Sequence, residues 1–122
     1  MNFRLKTSSY AADKLKQLHS TTNLTPNILA RMAISLSLQQ EGVPPEPKSG
    51  ADGLEFNRNT LTGEYDYLFH TLIAQHTNRP VADEEYFPAL FNAHLDRGIR
   101  LLAGEYQHAG NHDKFLRNLM HL

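Results

Sequence analysis

NFRLKTSSYAADKLKQLHSTTNLTPNILARMAISLSL, residues 2–38, carries the pattern that decides the fold. Its first six residues alternate polar and apolar, the period of a half-buried strand. Phe3 and Leu5 are expected on a core face, with Asn2, Arg4 and Lys6 on the outer face. So short a segment cannot pair with itself and needs another chain or another edge. The period then changes. Ser8 or Ser9 offers a hydroxyl to cap a helix, and Ala11, Leu15 and Leu18 recur at i, i+4 and i+7. This helix should fray near Ser20, Thr21, Thr22 and Asn23. A stronger start follows, with Thr25 as N-cap and Pro26 at the first helical position, where no intrahelical hydrogen bond is lost. Ile28, Leu29, Met32, Ala33 and Leu36 carry that helix to about Gln40, and Gly42 should stop it. Its apolar content suits the centre of a bundle or a subunit interface.

Downstream, residues 42–63 hold three of the six prolines and four of the seven glycines, which predicts a long connection pinned by Leu54, Phe56 and Leu61. Tyr65, Leu68, Phe69, Leu72 and Ile73 then give the clearest amphipathic helix in the chain. Asp83, Glu84 and Glu85 favour the positive end of another helix, with Pro88 expected in its first turn and Phe87, Leu90, Phe91, Leu95 and Leu102 along it. Gly104 or Gly110 should weaken or end it, and Asn111 can cap a short last helix with Phe115, Leu116, Leu119 and Met120. The expected fold is mostly α: a short N-terminal strand followed by a helical bundle, in one domain over residues 1–122.

Charge is small overall, a formal −1, but segregated. Residues 1–31 hold five basic side chains, Arg4, Lys6, Lys14, Lys16 and Arg31, against the single acid Asp13. Residues 41–66 hold two basic against six acidic. A local basic face is therefore compatible with a near-neutral protein. The absence of cysteine excludes disulfides and thiolate metal sites and fits a cytoplasmic setting. No apolar run is long enough for a membrane span or a signal core, so no membrane partner is expected.

A strand followed by two helices is the order of a ribbon-helix-helix unit, in which strands of two chains pair into a ribbon that can enter a DNA major groove. Arg4 and Lys6 would point outward from it. The start of the Thr25-Pro26-Asn27 helix could hold a phosphate with its free amides. More specific are NLTPNILARMAISLSL (23–38) and GLEFNRNTLTGEYDYLF (53–69), which resemble the DndE family of bacterial DNA phosphorothioation systems. AHLDRGIRLL (93–102) is similar to that family's C-terminal helix, and the three stretches keep the family's order. The motif positions are Leu24, Thr25, Pro26 and Asn27, then Glu55, Phe56, Asn57 and Arg58, then Gly63, Glu64 and Tyr65. The resemblance implies a ribbon-helix-helix-like homotetramer with affinity for duplex DNA, nicked duplex in particular. It implies a subunit that does not itself transfer sulfur, beside a cysteine desulfurase, an ATP-using sulfurtransferase-like subunit and an SMC-like ATPase. Most motif residues are expected to serve fold and assembly.

The candidate DNA-binding residues are Arg4, Lys6, Lys14, Lys16, Thr25, Asn27 and Arg31, the basic ones on electrostatic grounds. Lys14 and Lys16 stand about 200° apart on an ideal helix, so a single tight patch within one monomer is not expected. Other chemistries lack their patterns. His70 and His76 are splayed by their spacing, His108 and His112 straddle Gly110, and no H-E-x-x-H occurs, so neither metal nor cofactor is expected. Neither a phosphate loop for ATP nor a nucleophile with an evident base is present. The acids around Tyr65 and at 83–85 are accounted for as helix-start residues, and Glu55 and Arg58 are candidates to pair. The competing expectation is an assembly scaffold whose DNA affinity is incidental.

Overall fold

In a computed structural model, residues 3–47, 53–110 and 112–120 are described. The N-terminal strand, β1 (Arg4–Lys6), finds its edge within the chain, antiparallel to β2 (Glu55–Asn57). The register sets Leu5 opposite Phe56, both buried, and leaves Arg4 and Lys6 on the outer face. Thr7 and Gly53 prolong the ladder past one end, and Arg58 N donates to Phe3 O at the other. The expected long connection therefore contains a strand and the short helix α3 (Arg58–Leu61), whose first turn is capped by Asn57 Oδ1. Phe3 departs from its expected core position and is 51% exposed. It lies where β2 has already turned into α3, so no sheet partner covers it. Asn2 lies outside the described residues.

Helix α1 (Ser9–Thr22) is capped by the Ser8 hydroxyl, which accepts from Ala11 N, and buries Ala11, Leu15 and Leu18 as the spacing requires. Asn23 ends it in the left-handed conformation at φ 63°. Helix α2 (Pro26–Leu38) begins on the Thr25 cap and places Leu29, Ala30, Ala33 and Ile34 in the core. After a single 3-10 turn at Gly63–Tyr65 comes α4 (Asp66–Thr77). Only Phe69 and Ile73 of its predicted stripe are buried; Tyr65 and Leu68 remain about half exposed.

The next helix also departs from expectation. It breaks at Phe87, which is extended, at φ −129° and ψ 124°, with the Phe87–Pro88 bond cis, and Pro88 opens the turn that leads into α5. The regular helix α5 spans Phe91–Ala109 beyond that break and passes through Gly104 unbroken. Gly110, at φ 81°, ends it, because a residue without Cβ reaches the left-handed region without strain. Helix α6 (His112–Leu119) follows and buries Phe115 against Tyr106, ring to ring at 5.1 Å. The capping role read for Asn111 lies outside the described residues.

The protein is thus mostly helical, with a two-stranded antiparallel sheet at its N-terminal end. The strand-helix-helix order is compatible with a ribbon-helix-helix-like unit whose ribbon here joins two segments of one chain. At the centre α2 crosses α5, and the buried set includes Ala30, Ala33, Ile34, Leu95, Ile99 and Leu102. Burial of each large aliphatic chain contributes about 1.5–3 kcal/mol. The crossing depends on Gly98: a Cβ there would stand 1.8 Å from Ala33 O. The two backbones touch where most helix pairs are held apart by side chains.

Candidate nucleic-acid interface

Helix α1 and the C-terminal half of α5 enclose an open groove of about 820 Å³. Lys14, Lys16, Gln17, Ser20 and Thr21 line it from α1, and Ala103, Tyr106, Gln107 and Gly110 from the other side. Its described lining contains two cations, hydrogen-bonding side chains, an aromatic ring and no carboxylate. Lys14 and Lys16 do not form a tight patch, but the groove is wide enough to be lined by both. Tyr10 organises the neighbouring surface. Lys14 Nζ lies 5.8 Å from its ring centroid and the Arg100 guanidinium 4.3 Å, a cation–π arrangement that holds both positive charges beside one face of α1.

The other candidates fall on separate elements. Arg4 and Lys6 share the outer face of the ribbon; Arg4 is 74% exposed and only 3.7 Å from Glu55, a surface pair of little energetic consequence. Thr25 caps α2 through its hydroxyl, and Asn27 is half-buried within the first turn. Arg31 serves as a brace: Nε donates to Leu61 O at 2.8 Å, Nη2 to Thr60 O, and the guanidinium lies over the Tyr65 ring. It joins α2 to α3, so its charge is directed inward.

Arg58 is the hub that the sequence reading missed. Its guanidinium donates to both carboxylate oxygens of Asp66 and of Asp83, at 2.7–3.2 Å, and packs 5.2 Å from the Tyr86 ring and 5.0 Å from Phe87. Thr62 Oγ1 and Tyr86 Oη also donate to Asp66. The hydrogen bonds that Arg58 donates to Asp66 and then to Asp83 hold its guanidinium well above its ordinary pKa. Burial pushes the Asp66 carboxyl up, but the bonds from Arg58, Thr62 and Tyr86 outweigh it and hold the carboxyl below the usual range. The anticipated Glu55–Arg58 pairing is replaced by this cluster, with Glu55 beside Arg4 instead. Asp66 and Asp83 are accordingly more than helix-start acids, and Glu85 pairs with Arg79. The motif positions Phe56, Asn57 and Arg58 thus supply a core residue, a helix cap and an ionic hub in succession.

A second polar cluster closes the far end of α2. Arg97 donates to Ser37 Oγ and Ser37 O and to Gly42 O, so a cation meets the negative end of that helix. Having accepted from Arg97, the Ser37 hydroxyl can donate to His94 Nδ1, 2.8 Å away. His94 is fully buried, and burial first, then His76 and Arg97, push its pKa down to about 4. His76 Nε2 donates to Gln40 O, and its ring meets His94 edge to face at 4.8 Å. His70 stacks on Tyr86 and donates to Val81 O. Among the described residues no three histidine, aspartate or glutamate side chains converge as a metal-holding group. No helix among them is long and apolar enough to cross a membrane.

A family model described as DNA sulphur modification protein DndE matches residues 4–110. The chain belongs to the DndE family. Solved DndE structures are similar to it. DndE from Escherichia coli B7A, involved in DNA phosphorothioation modification, matches with a TM-score of 0.65 at 27% identity, over 81% of this chain and 96% of that one. A DndE variant with glycine-to-lysine substitutions, involved in DNA phosphorothioation, matches with a TM-score of 0.65 at 25% identity, over 83% and 97%. The comparison with curated proteins gives no match. Membership of DndE associates the chain with DNA phosphorothioation, the modification named for its relatives. The DndE match stops at Gly110, the residue that ends α5, so α6 lies beyond it.

Proposed function

We propose that this DndE-family chain is a non-catalytic, DNA-binding subunit of the phosphorothioation complex. It grips duplex DNA, and nicked duplex above all, through the phosphate backbone. The observation that carries the reading is the α1–α5 groove, where Lys14 and Lys16 stand without a carboxylate in the described lining. Phosphates neutralised there release counterions, and the hydroxyl and amide side chains that share the lining with the lysines suit sugar-phosphate oxygens. Arg4 and Lys6 on the ribbon add charge that a homotetramer would repeat by symmetry. The work is done where the genome is, in the cytoplasm, beside the other subunits of the complex. The hydroxyl–imidazole pair of Ser37 and His94 is fully buried and held by Arg97, which supports a role without covalent chemistry.

The test is a binding series over salt on intact and nicked duplex, with oligomer mass measured alongside. If about six phosphates are contacted, log affinity should fall against log salt with a slope of about −5. Changing Arg4, Lys6, Lys14 and Lys16 to glutamate should abolish binding and leave the oligomer intact. A flat salt response for the unmodified protein refutes the proposal.

A scaffold role for the same complex is favoured by a different observation. Ile28, Tyr65, Tyr67 and Leu68 are exposed at 44%, 47%, 83% and 50%, all on α2, α4 and the turn before it. Survival of DNA modification in cells carrying the charge-reversed protein would decide for the scaffold.

A further inference from the structure

We propose that the hollow beside Tyr10 receives a nucleobase swung out of the duplex at a nick, which gives the preference for nicked DNA an origin in named residues; this rests on the DNA-binding reading above. The hollow holds about 430 Å³, within the size of small-ligand sites. Its walls are Tyr10 of α1, Arg97 and Arg100 of α5, and Pro44, Pro45 and Pro47 of the segment after α2. It lies on the same α1–α5 seam as the lysine groove. Tyr10 lines the hollow, Lys14 one turn further on lines the groove, and Lys14 Nζ is 5.8 Å from the Tyr10 ring centroid. A strand held by Lys14 has a neighbouring base within reach of Tyr10.

The chemistry of groove and hollow differs, and the difference selects the occupant. The described lining of the groove has two lysines and no carboxylate, which suits phosphate. That of the hollow sets Glu46 and Asp96 against Arg97 and Arg100, so its formal charges cancel. A carboxylate repels a phosphate oxygen but accepts from the amino and imino N–H groups on the edge of a base. Asp96 is buried and fixed for that role. Its Oδ1 accepts from Ser8 Oγ at 2.8 Å and its Oδ2 from Arg100 Nε at 3.3 Å, and each oxygen keeps a second lone pair. The Arg100 guanidinium lies 4.3 Å from the Tyr10 ring centroid, so the two form one platform. Guanidinium and aromatic planes are the surfaces on which unpaired bases stack. Arg97 is committed to Ser37 and Gly42 O and serves as a wall. The prolines add a rigid apolar side that loses little freedom when a ring packs on it. A base beside a nick leaves the helix stack at lower cost than one in a continuous strand, because its sugar is tethered on one side only.

The experiment measures fluorescence anisotropy of labelled intact and nicked duplexes across a salt series, using the full chain, and reads the ratio of the two affinities. Arg100→Lys keeps the charge but has no planar face. It should lower affinity for nicked duplex about tenfold, with the salt slope and the affinity for intact duplex unchanged. Tyr10→Leu should do the same. If that variant melts early, Arg100→Lys decides alone, since the Arg100 side chain is 58% exposed. Removing the two bases that flank the nick should weaken wild-type binding about tenfold and that of Arg100→Lys no further. A steep salt slope with a nick preference that Arg100→Lys retains overturns the base-capturing hollow and leaves the backbone grip standing. A wild type that binds intact and nicked duplex equally also overturns the hollow, and a flat wild-type salt response defeats both readings. Binding of free deoxyguanosine that Arg100→Lys abolishes, with the nick preference retained, assigns the hollow to a free nucleoside and overturns the swung-out base.

Discussion

Replacing Gly98 by alanine sets two effects of opposite sign against each other. In an open helix interior alanine is favoured over glycine by about 1 kcal/mol, from lower backbone entropy in the unfolded chain. At Gly98 the added methyl would lie 1.8 Å from Ala33 O, 2.3 Å from Ala33 C and 2.9 Å from Ala33 Cα. Those are backbone atoms of the facing helix and cannot rotate away. Carbon needs about 3.5 Å to its neighbours, so α2 and α5 would have to part by well over 1 Å. That loosens the packing of Ala30, Ala33, Ile34, Leu95, Ile99 and Leu102 together, and overpacking of this kind costs about 1–3 kcal/mol or more. With so close a backbone contact the cost falls at the upper end of that range, and the net expectation is a loss of about 2 kcal/mol, or a thermal midpoint lower by about 8 °C at about 4 °C per kcal/mol. Gly104, six residues along the same helix, is the internal control, because a Cβ there meets nothing within 4 Å. Gly104→Ala should raise the midpoint by about 4 °C. Circular dichroism melts and urea titrations of the two variants decide the matter. A Gly98→Ala protein as stable as wild type, with Gly104→Ala stabilised, would refute the backbone contact at the α2–α5 crossing.

Arg58→Met should cost about 3 kcal/mol, since it strands Asp66 and Asp83 beside each other with their cation gone; a urea-derived loss below about 1 kcal/mol would remove Arg58 as the hub of α3 and α4. His94 binds its proton less readily folded than unfolded, so its contribution is fully present above pH 6.5 and is lost as the pH falls toward 4. Between those limits about 3 kcal/mol should disappear, and His94→Asn should flatten the stability profile in that window; an unflattened profile assigns the loss to other groups. If the exposed face of α4 joins subunits, Tyr67→Glu with Leu68→Glu should lower the mass in sedimentation while far-ultraviolet ellipticity is kept. An unchanged mass would direct the search for the joint elsewhere.

Local order was legible in the chain because it depends on neighbours in sequence. The Ser8 and Thr25 caps, the Pro26 start, the Gly110 stop and the buried stripe of Ala11, Leu15 and Leu18 each follow from a hydroxyl, a ring, a missing Cβ or a repeat of 3.6. The family was legible too, in LTPNIL and EFNRNTLTGEYD. What was decided only in three dimensions involves partners far apart along the chain. Glu55–Asn57 is too short to show a period and becomes a strand because β1 offers an edge 51 residues away at the Leu5–Phe56 pair. Arg58 takes Asp66 and Asp83 because folding brings α4 and the segment before α5 to it, which spacing along the sequence cannot express. The same holds for the groove. Lys14 and Lys16 were visible as charges, but the wall of Tyr106 and Gln107 that turns them into a channel exists only once α5 crosses the core at Gly98. Periodicity and caps are properties of one segment; a site is a property of how segments meet, and that is set by the packing of their buried faces.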